Sequence, residues 1–134
     1  MATSAKVIEL RKLLTEKFPE AHAGISQQHA TFPTGLASLD RVGIPKGALT
    51  EIVSNQLSQG SGLIINGLLN AAQENGYHMA LIDGQDSFDP QSAGFDACQR
   101  MLWIRCRNVN EALKAADLVL RDGNLPVSIL DLRL

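Results

Sequence analysis

The sequence predicts an α/β domain: a central, mostly parallel sheet with helices on both faces, preceded by an N-terminal helix. Three observations carry that prediction. Short, nearly unbroken apolar runs with β-branched residues recur along the chain, as strands buried on both faces require. Segments with helical spacing stand between them, and strands joined through helices must be parallel because the connection is a crossover. The composition, with 11 Gly but only four Phe, one Tyr and one Trp in 134 residues, is glycine-rich, aliphatic and aromatic-poor, which favours α/β over a β-sandwich. The length is one domain's worth, and 45% apolar against 19% charged residues is enough to bury a core.

The elements follow in order. Residues 5–18 place Val7, Leu10, Leu14 and Phe18, with Leu13 beside them, at helical spacing. Lys6, Arg11, Lys12, Glu16 and Lys17 line the wet face. Such a helix docks onto a partner or packs on its own domain. Residues 19–33 show no period and read as a linker, punctuated by Pro19, Gly24 and Pro33. The expected division is a helix and linker over 1–33 and an α/β core over 34–134. In the core, Leu36–Asp40 reads as a short helical turn and Gly43–Gly47 as a tight turn. Ala48–Val53 reads as a buried strand, followed by the polar break SNQLSQGSG. Leu63 to Asn75 is an apolar helix that Gly76 stops in the left-handed conformation. His78–Asp83 is a second strand. Asp89-Pro90 supplies an N-cap followed by proline at the first helical position. Met101–Ile104 is a third strand. Asn108 and Glu111 have capping-box spacing for a helix that runs to Arg121, and Val127–Asp131 is a fourth strand.

Composition excludes several roles. The formal charge is −2 and no block of like charge stands out, so nothing in it points to nucleic acid or an anionic membrane. No apolar run approaches the roughly 20 residues of a membrane span. The N-terminus has no long apolar stretch of a secretory signal. A cytoplasmic location is expected, with Cys98 and Cys106 both free, since their spacing matches no zinc or redox motif. His22 and His29 have no carboxylate or cysteine at ligand spacing.

In an open parallel sheet, ligands bind beyond the carboxyl ends of the strands. Three places qualify. The loop 54–62 leads into a helix start, where the N–H groups of Gly60, Ser61 and Gly62 would attract an anion. A working phosphate loop also needs a lysine for the β and γ phosphates and a hydroxyl for Mg²⁺. Ser61 follows Gly60, Gly62 follows Ser61, and no shift of register supplies a lysine. One charge-assisted contact is worth roughly 1.5–3 kcal/mol, so nucleotide affinity is expected to be weak or absent. The second place is Asp83-Gly84-Gln85-Asp86, where Gln85 and Asp86 are candidates to orient an attacking water, or the loop is merely acidic and capping. The third is Asp131, at the end of a buried strand, where a Mg²⁺-side carboxylate would stand. Asp83, Asp86 and Asp89 could hold a hard cation, without the calcium-loop pattern. Arg100, Arg105 and Arg107 could touch phosphate or a partner's acids, or form a solvated edge.

The run Thr34-Gly35-Leu36, Leu39-Asp40, Gly43–Gly47 and Glu51-Ile52-Val53 resembles the RecA recombinase core. So does the spacing from Gly60 to the helix end at Asn75-Gly76, and Leu81-Ile82-Asp83 followed by Phe88-Asp89-Pro90. The stretches Met101–Arg105, Glu111–Leu118 and Ile129–Leu132 look closer to ImuA, the RecA-like member of a bacterial DNA-damage mutagenesis cassette. The resemblance covers residues 34–132. It implies a RecA-like P-loop NTPase fold in which the phosphate loop binds ATP, a glutamate after the second strand activates water, and an aspartate on a later strand sits near Mg²⁺.

Carried over by position, the phosphate-loop-like residues are Ser54, Asn55, Gln59, Gly60, Ser61 and Gly62. The lysine falls on Ser61, the hydroxyl on Gly62 and the catalytic glutamate on Gln85; Asp131 alone matches. Three chemical requirements fail together, so the resemblance implies a lost activity, with no cofactor expected beyond weak binding of ATP and Mg²⁺. The family's DNA-binding loops follow the position of Asp131, which argues against DNA binding by this chain. The reading that results is a non-catalytic module in the bacterial DNA damage response, in translesion synthesis or recombination. Its partners would be proteins of a mutagenesis complex or RecA, with self-association as an alternative, and Val7, Leu10, Leu14 and Phe18 would dock them. The alternatives are a divergent DNA-dependent ATPase, drawing a cation from Lys46 or a neighbouring subunit, and an anion-binding regulatory domain.

Overall fold

The computed structural model describes residues 5–19, 30–53 and 60–132. The chain divides into two compact units, Met1–Ala30 and Thr31–Leu134. The first contains α1 (Ala5–Lys17). Phe18 follows the last helical residue, its N–H donating to the Leu14 carbonyl at 2.8 Å.

The second unit is built from β1 (Thr31–Phe32), α2 (Ala37–Val42), β2 (Ile44–Pro45), α3 (Ser61–Asn75), β3 (Met79–Asp83), α4 (Pro90–Ala93), α5 (Phe95–Cys98), β4 (Met101–Arg105), α6 (Val109–Asp122) and β5 (Val127–Asp131). Its main sheet is parallel, with strand order β4-β3-β5. Every residue of β3 is buried, and side-chain alternation divides the core in two. Met79 and Leu81 face α3, where they pack with Ile65, Leu68, Leu69, Ala72 and the Ala97 of α5. Ile82 faces the other way, against Ala112 and Ala116 of α6 and Cys106. The predicted α/β class, parallel sheet and helices on both faces are therefore present.

Local chemistry sets the helix ends as the residues dictate. Gly76 closes α3 at φ 73° and its N–H donates to the Ala72 carbonyl. The Asp89 carboxylate accepts from the Gln91 N–H, with Pro90 at the first helical position. At α6 the Asn108 side chain accepts from the Glu111 N–H at 3.0 Å, and the Glu111 carboxylate reaches back to the Arg107 N–H at 2.9 Å. The reciprocal cap thus closes one residue earlier than a standard capping box.

Three expectations need correction. Residues 48–53 are not a buried strand. They run without regular structure and exposed, Leu49 at 97% and Ile52 at 51%. Their β-branched content is a preference for a pleated, half-buried surface, and no strand among the described residues pairs with them. Among the described residues the sheet accordingly has three parallel strands, not four, and of these β3 alone is buried throughout, while β4 and β5 are half-buried edges. The stretch 19–33 is not linker to its end either. Thr31 and Phe32 pair antiparallel with Pro45 and Ile44, and Lys46 holds its ammonium 4.9 Å from the Phe32 ring centre, which places that cation in a cation–π contact. The rest of that stretch, with His22 and His29, lies outside the described residues.

The motif Thr34-Gly35-Leu36…Asp40 has a structural purpose. One Asp40 oxygen accepts from the Thr34 N–H at 2.7 Å and its hydroxyl at 2.6 Å; the other accepts from the Gly35 N–H at 3.1 Å. Thr34 is wholly buried, and α3 lies against its carbonyl at Gly67, where even a methyl group would collide.

Candidate functional site

The parallel register sets Arg105, Asp83 and Asp131 side by side at the carboxyl end of the sheet. The middle one, Asp83, is fully buried. One of its oxygens accepts from the N–H groups of Gln85 at 3.2 Å and Ser87 at 3.1 Å. The other accepts from the Phe88 N–H at 3.1 Å and the Trp103 indole at 3.3 Å. A buried carboxylate demands such donors, and in meeting that demand it folds residues 84–88 into one shape. Sequence reasoning passed over Asp83 as one of three alternating acids. The signal was its strand position: Met79, Leu81 and Asp83 share a face, so the acid ends a buried row.

Gln85 is held over the end of β5, where its amide donates to Asp131 Oδ1 at 2.7 Å. The two residues that the sequence placed at separate chemical positions are thus in direct contact. Gly84 lets β3 and β5 approach so closely. Its N–H donates to the Asp131 carbonyl at 2.9 Å, and an added Cβ would stand 2.8 Å from that oxygen and 2.8 Å from Leu132.

Asp86 is engaged by Arg105 rather than turned toward Gln85. Both its oxygens are taken by Arg105, at 2.6 and 2.9 Å, and the guanidinium lies 5.2 Å from the Trp103 ring centre. Arg105 is thus ion-paired yet 61% exposed, on the solvated edge that the sequence allowed, while Arg100 donates to the Gly76 carbonyl at 3.4 Å. With Asp83, Asp86 and Asp89 each turned to different donors, the hard-cation site does not form. Among the described residues no cluster of three metal-ligating side chains exists.

Of the phosphate-loop-like residues, Ser54, Asn55 and Gln59 lie outside the described residues. Gly60 caps α3 at φ 94° with no side-chain hydrogen bond. Ser61 and Gly62 are exposed in the first turn, which holds no acidic residue. A cleft of about 550 Å³ opens beside Gln85, lined by Gly84, Gln85, Asp86, Arg105, Cys106 and Arg107, without Gly60, Ser61 or Gly62.

Three carboxylates have pKa values below the ordinary 3.8: Asp40 through the Thr34 hydroxyl and N–H, Asp86 through Arg105, and Asp89 through Ser92 and the Gln91 N–H. A carboxyl whose folded pKa is depressed contributes stability above its unfolded pKa and loses it as pH falls through the folded value. The urea midpoint should hold between pH 7 and about 5 and fall only below about pH 4. A loss already complete at pH 5 would contradict this assignment.

No family model matches the chain. Individual relatives do. The RecA protein of Rhodococcus opacus (strain B4) is 30% identical over 115 residues, which cover 81% of this chain and 32% of that protein. RecA of Cutibacterium acnes is 31% identical over 109 residues, 76% of this chain and 31% of the relative. RecA of Bifidobacterium breve is 31% identical over 112 residues, 78% and 28% of the two chains. No described helix is long and apolar enough to cross a membrane. The chain is similar in sequence to RecA proteins over about four-fifths of its length and spans about a third of the length of those relatives.

Proposed function

We propose that this chain is a non-catalytic RecA-like module of the bacterial DNA damage response that works through protein contacts, as an ImuA-type protein in translesion synthesis or in recombination. The observation that carries this reading is the 2.7 Å bond from the Gln85 amide to Asp131. At the position of a water-activating carboxylate stands an amide with no basic site near neutral pH. At the position of a metal-side carboxylate, one oxygen is already spent on that amide. The first turn of α3 offers Ser61 and Gly62 where a triphosphate needs an ammonium and a hydroxyl. These residues do not suit Mg-ATP, and no hydrolytic step is assigned to them.

A protein-contact role is supported by α1, none of whose residues is buried. Val7 is 40% exposed, Leu10 56% and Phe18 58%, with Leu14 half-covered. These would meet a protein of a mutagenesis complex, RecA, or a second copy. DNA binding is assigned to none of the described elements.

Thermal melting with and without Mg-ATP tests the non-catalytic claim. A ligand at a hundred times its Kd would add about 2.7 kcal/mol to the native state, a rise of several degrees for a domain of this size. No rise that depends on the start of α3 is expected. A rise abolished by Ser61→Asp, or phosphate release stimulated by single-stranded DNA, would establish the divergent-ATPase reading instead.

A further inference from the structure

The cleft beside Arg105 lies where the topology itself leaves room. β3 leads into α4 and α5, and Ala97 of α5 packs on the α3 side of the sheet. β4 leads into α6, which packs on the opposite side. Because β3 and β4 are neighbours, their outgoing loops part to opposite faces, and a crevice opens between the two carboxyl ends. In open α/β sheets, ligands bind at such a switch point. The residues just after β3 and at the end of β4 line it, as an open surface depression of about 550 Å³.

The lining chemistry selects the ligand. Two arginines and one acid are among the six residues that line the crevice. The acids around the crevice already have donors: Asp86 takes Arg105, Asp131 takes Gln85, Glu111 takes the Arg107 N–H, and Asp83 takes the loop and Trp103. The Arg107 guanidinium has no ion-pair or hydrogen-bond partner among the described residues. Asp86 has φ 52°, the single positive value outside glycine among the described residues, and residues in such sparsely populated backbone regions gather at ligand clamps and switches. Its bidentate pair holds Arg105 to the wall of the crevice like a latch.

We propose that this crevice binds a phosphate group, anchored by Arg107, with Arg105 as a second arm that exchanges Asp86 for ligand oxygens. A phosphate presents enough acceptor oxygens for two guanidinium forks. Both arms are needed, because the acids nearby oppose an anion. Burial first, then Glu111 and Asp83, push the Cys106 thiol above its ordinary value. The site shares Gln85 with the position discussed above but uses neither the start of α3 nor Asp131, so loss of Mg-ATP binding at α3 and loss of phosphate binding here are distinguishable.

The test is an amide NMR titration at low salt with inorganic pyrophosphate and, separately, with a nucleoside monophosphate. Saturable shifts are expected at Gly84, Gln85, Cys106 and Arg107. Arg107→Ala, on an exposed side chain, should weaken binding by roughly tenfold or more. Asp86→Asn should tighten it severalfold, since asparagine tolerates the positive φ while releasing Arg105. Tighter binding of pyrophosphate identifies a free oxyanion as the ligand, and tighter binding of the mononucleotide a nucleotide-borne phosphate. Absence of saturable shifts in both wild type and Asp86→Asn overturns the proposal, as do shifts that survive Arg107→Ala unchanged.

Discussion

Asp83→Ala should remove about 2–5 kcal/mol of stability, since each buried donor left without its acceptor costs about 1–3 kcal/mol. The carboxylate is fully buried and accepts four hydrogen bonds. Truncation leaves three backbone N–H groups and an indole N–H without acceptors. Gln85 and Ser87 are exposed, so water can replace their partner at small cost. Phe88 and Trp103 are half-buried and stack edge-to-face at 5.4 Å, so their N–H groups bear most of the loss. Asp83→Asn should recover only part of it, because its NH₂ would face donors. Urea unfolding followed by fluorescence of the single Trp reads the change directly. The same variant should free Gln85 from Asp131, since the loop that carries the amide is folded on Asp83. A midpoint change worth less than about 1 kcal/mol would mean that water reaches all four donors.

The residues that made the fold legible are those whose chemistry is local. Gly76 and Gly123 stop helices at φ 73° and 70°, and Asp89 and Asn108 start them, because a cap is decided by a few neighbours along the chain. The apolar row of β3 was equally plain, since both its faces are covered. Ala48–Val53 misled for the complementary reason. Its composition suits a strand, but pairing depends on an edge far away in sequence, and no propensity encodes that. Thr31–Phe32 was missed because two residues carry no period. At the candidate site, the identity of Gln85 was readable and its contact with Asp131 was not. That contact spans 46 positions and depends on Gly84, whose need to be glycine arises from the Asp131 carbonyl and Leu132. Arg105 shows the same limit. Its charge suggested a ligand or a solvated edge, while its ion-pair partner Asp86 comes from the loop after β3, 19 positions away; Trp103 is local, two residues back on the same face of β4.

Gly67→Ala should destabilise the protein even though it lies inside a 15-residue helix, where alanine is ordinarily favoured over glycine by about 1 kcal/mol. The added Cβ would collide with the Thr34 carbonyl oxygen, a backbone atom that cannot rotate aside as a side chain could. Thr34 is itself fixed by Asp40 through its N–H and its hydroxyl. Neither wall of the contact can yield cheaply, and such overpacking costs about 1–3 kcal/mol or more, which outweighs the propensity gain. Valine should be worse than alanine. Gly62, on the same helix, gives the opposite expectation. Its Cβ would meet open space and its φ is not positive, so Gly62→Ala should stabilise by a few tenths to about 1 kcal/mol. Opposite signs from the two substitutions, measured by urea midpoint, would show that α3 is docked through Gly67. If both stabilise, Thr34 is free to move, and the Asp40 cap does not anchor the loop. Combining Gly67→Ala with Asp40→Ala separates these cases. If Asp40 holds Thr34 rigid, loosening it should make the second substitution less harmful than it is alone, a coupling that residues in contact are expected to show.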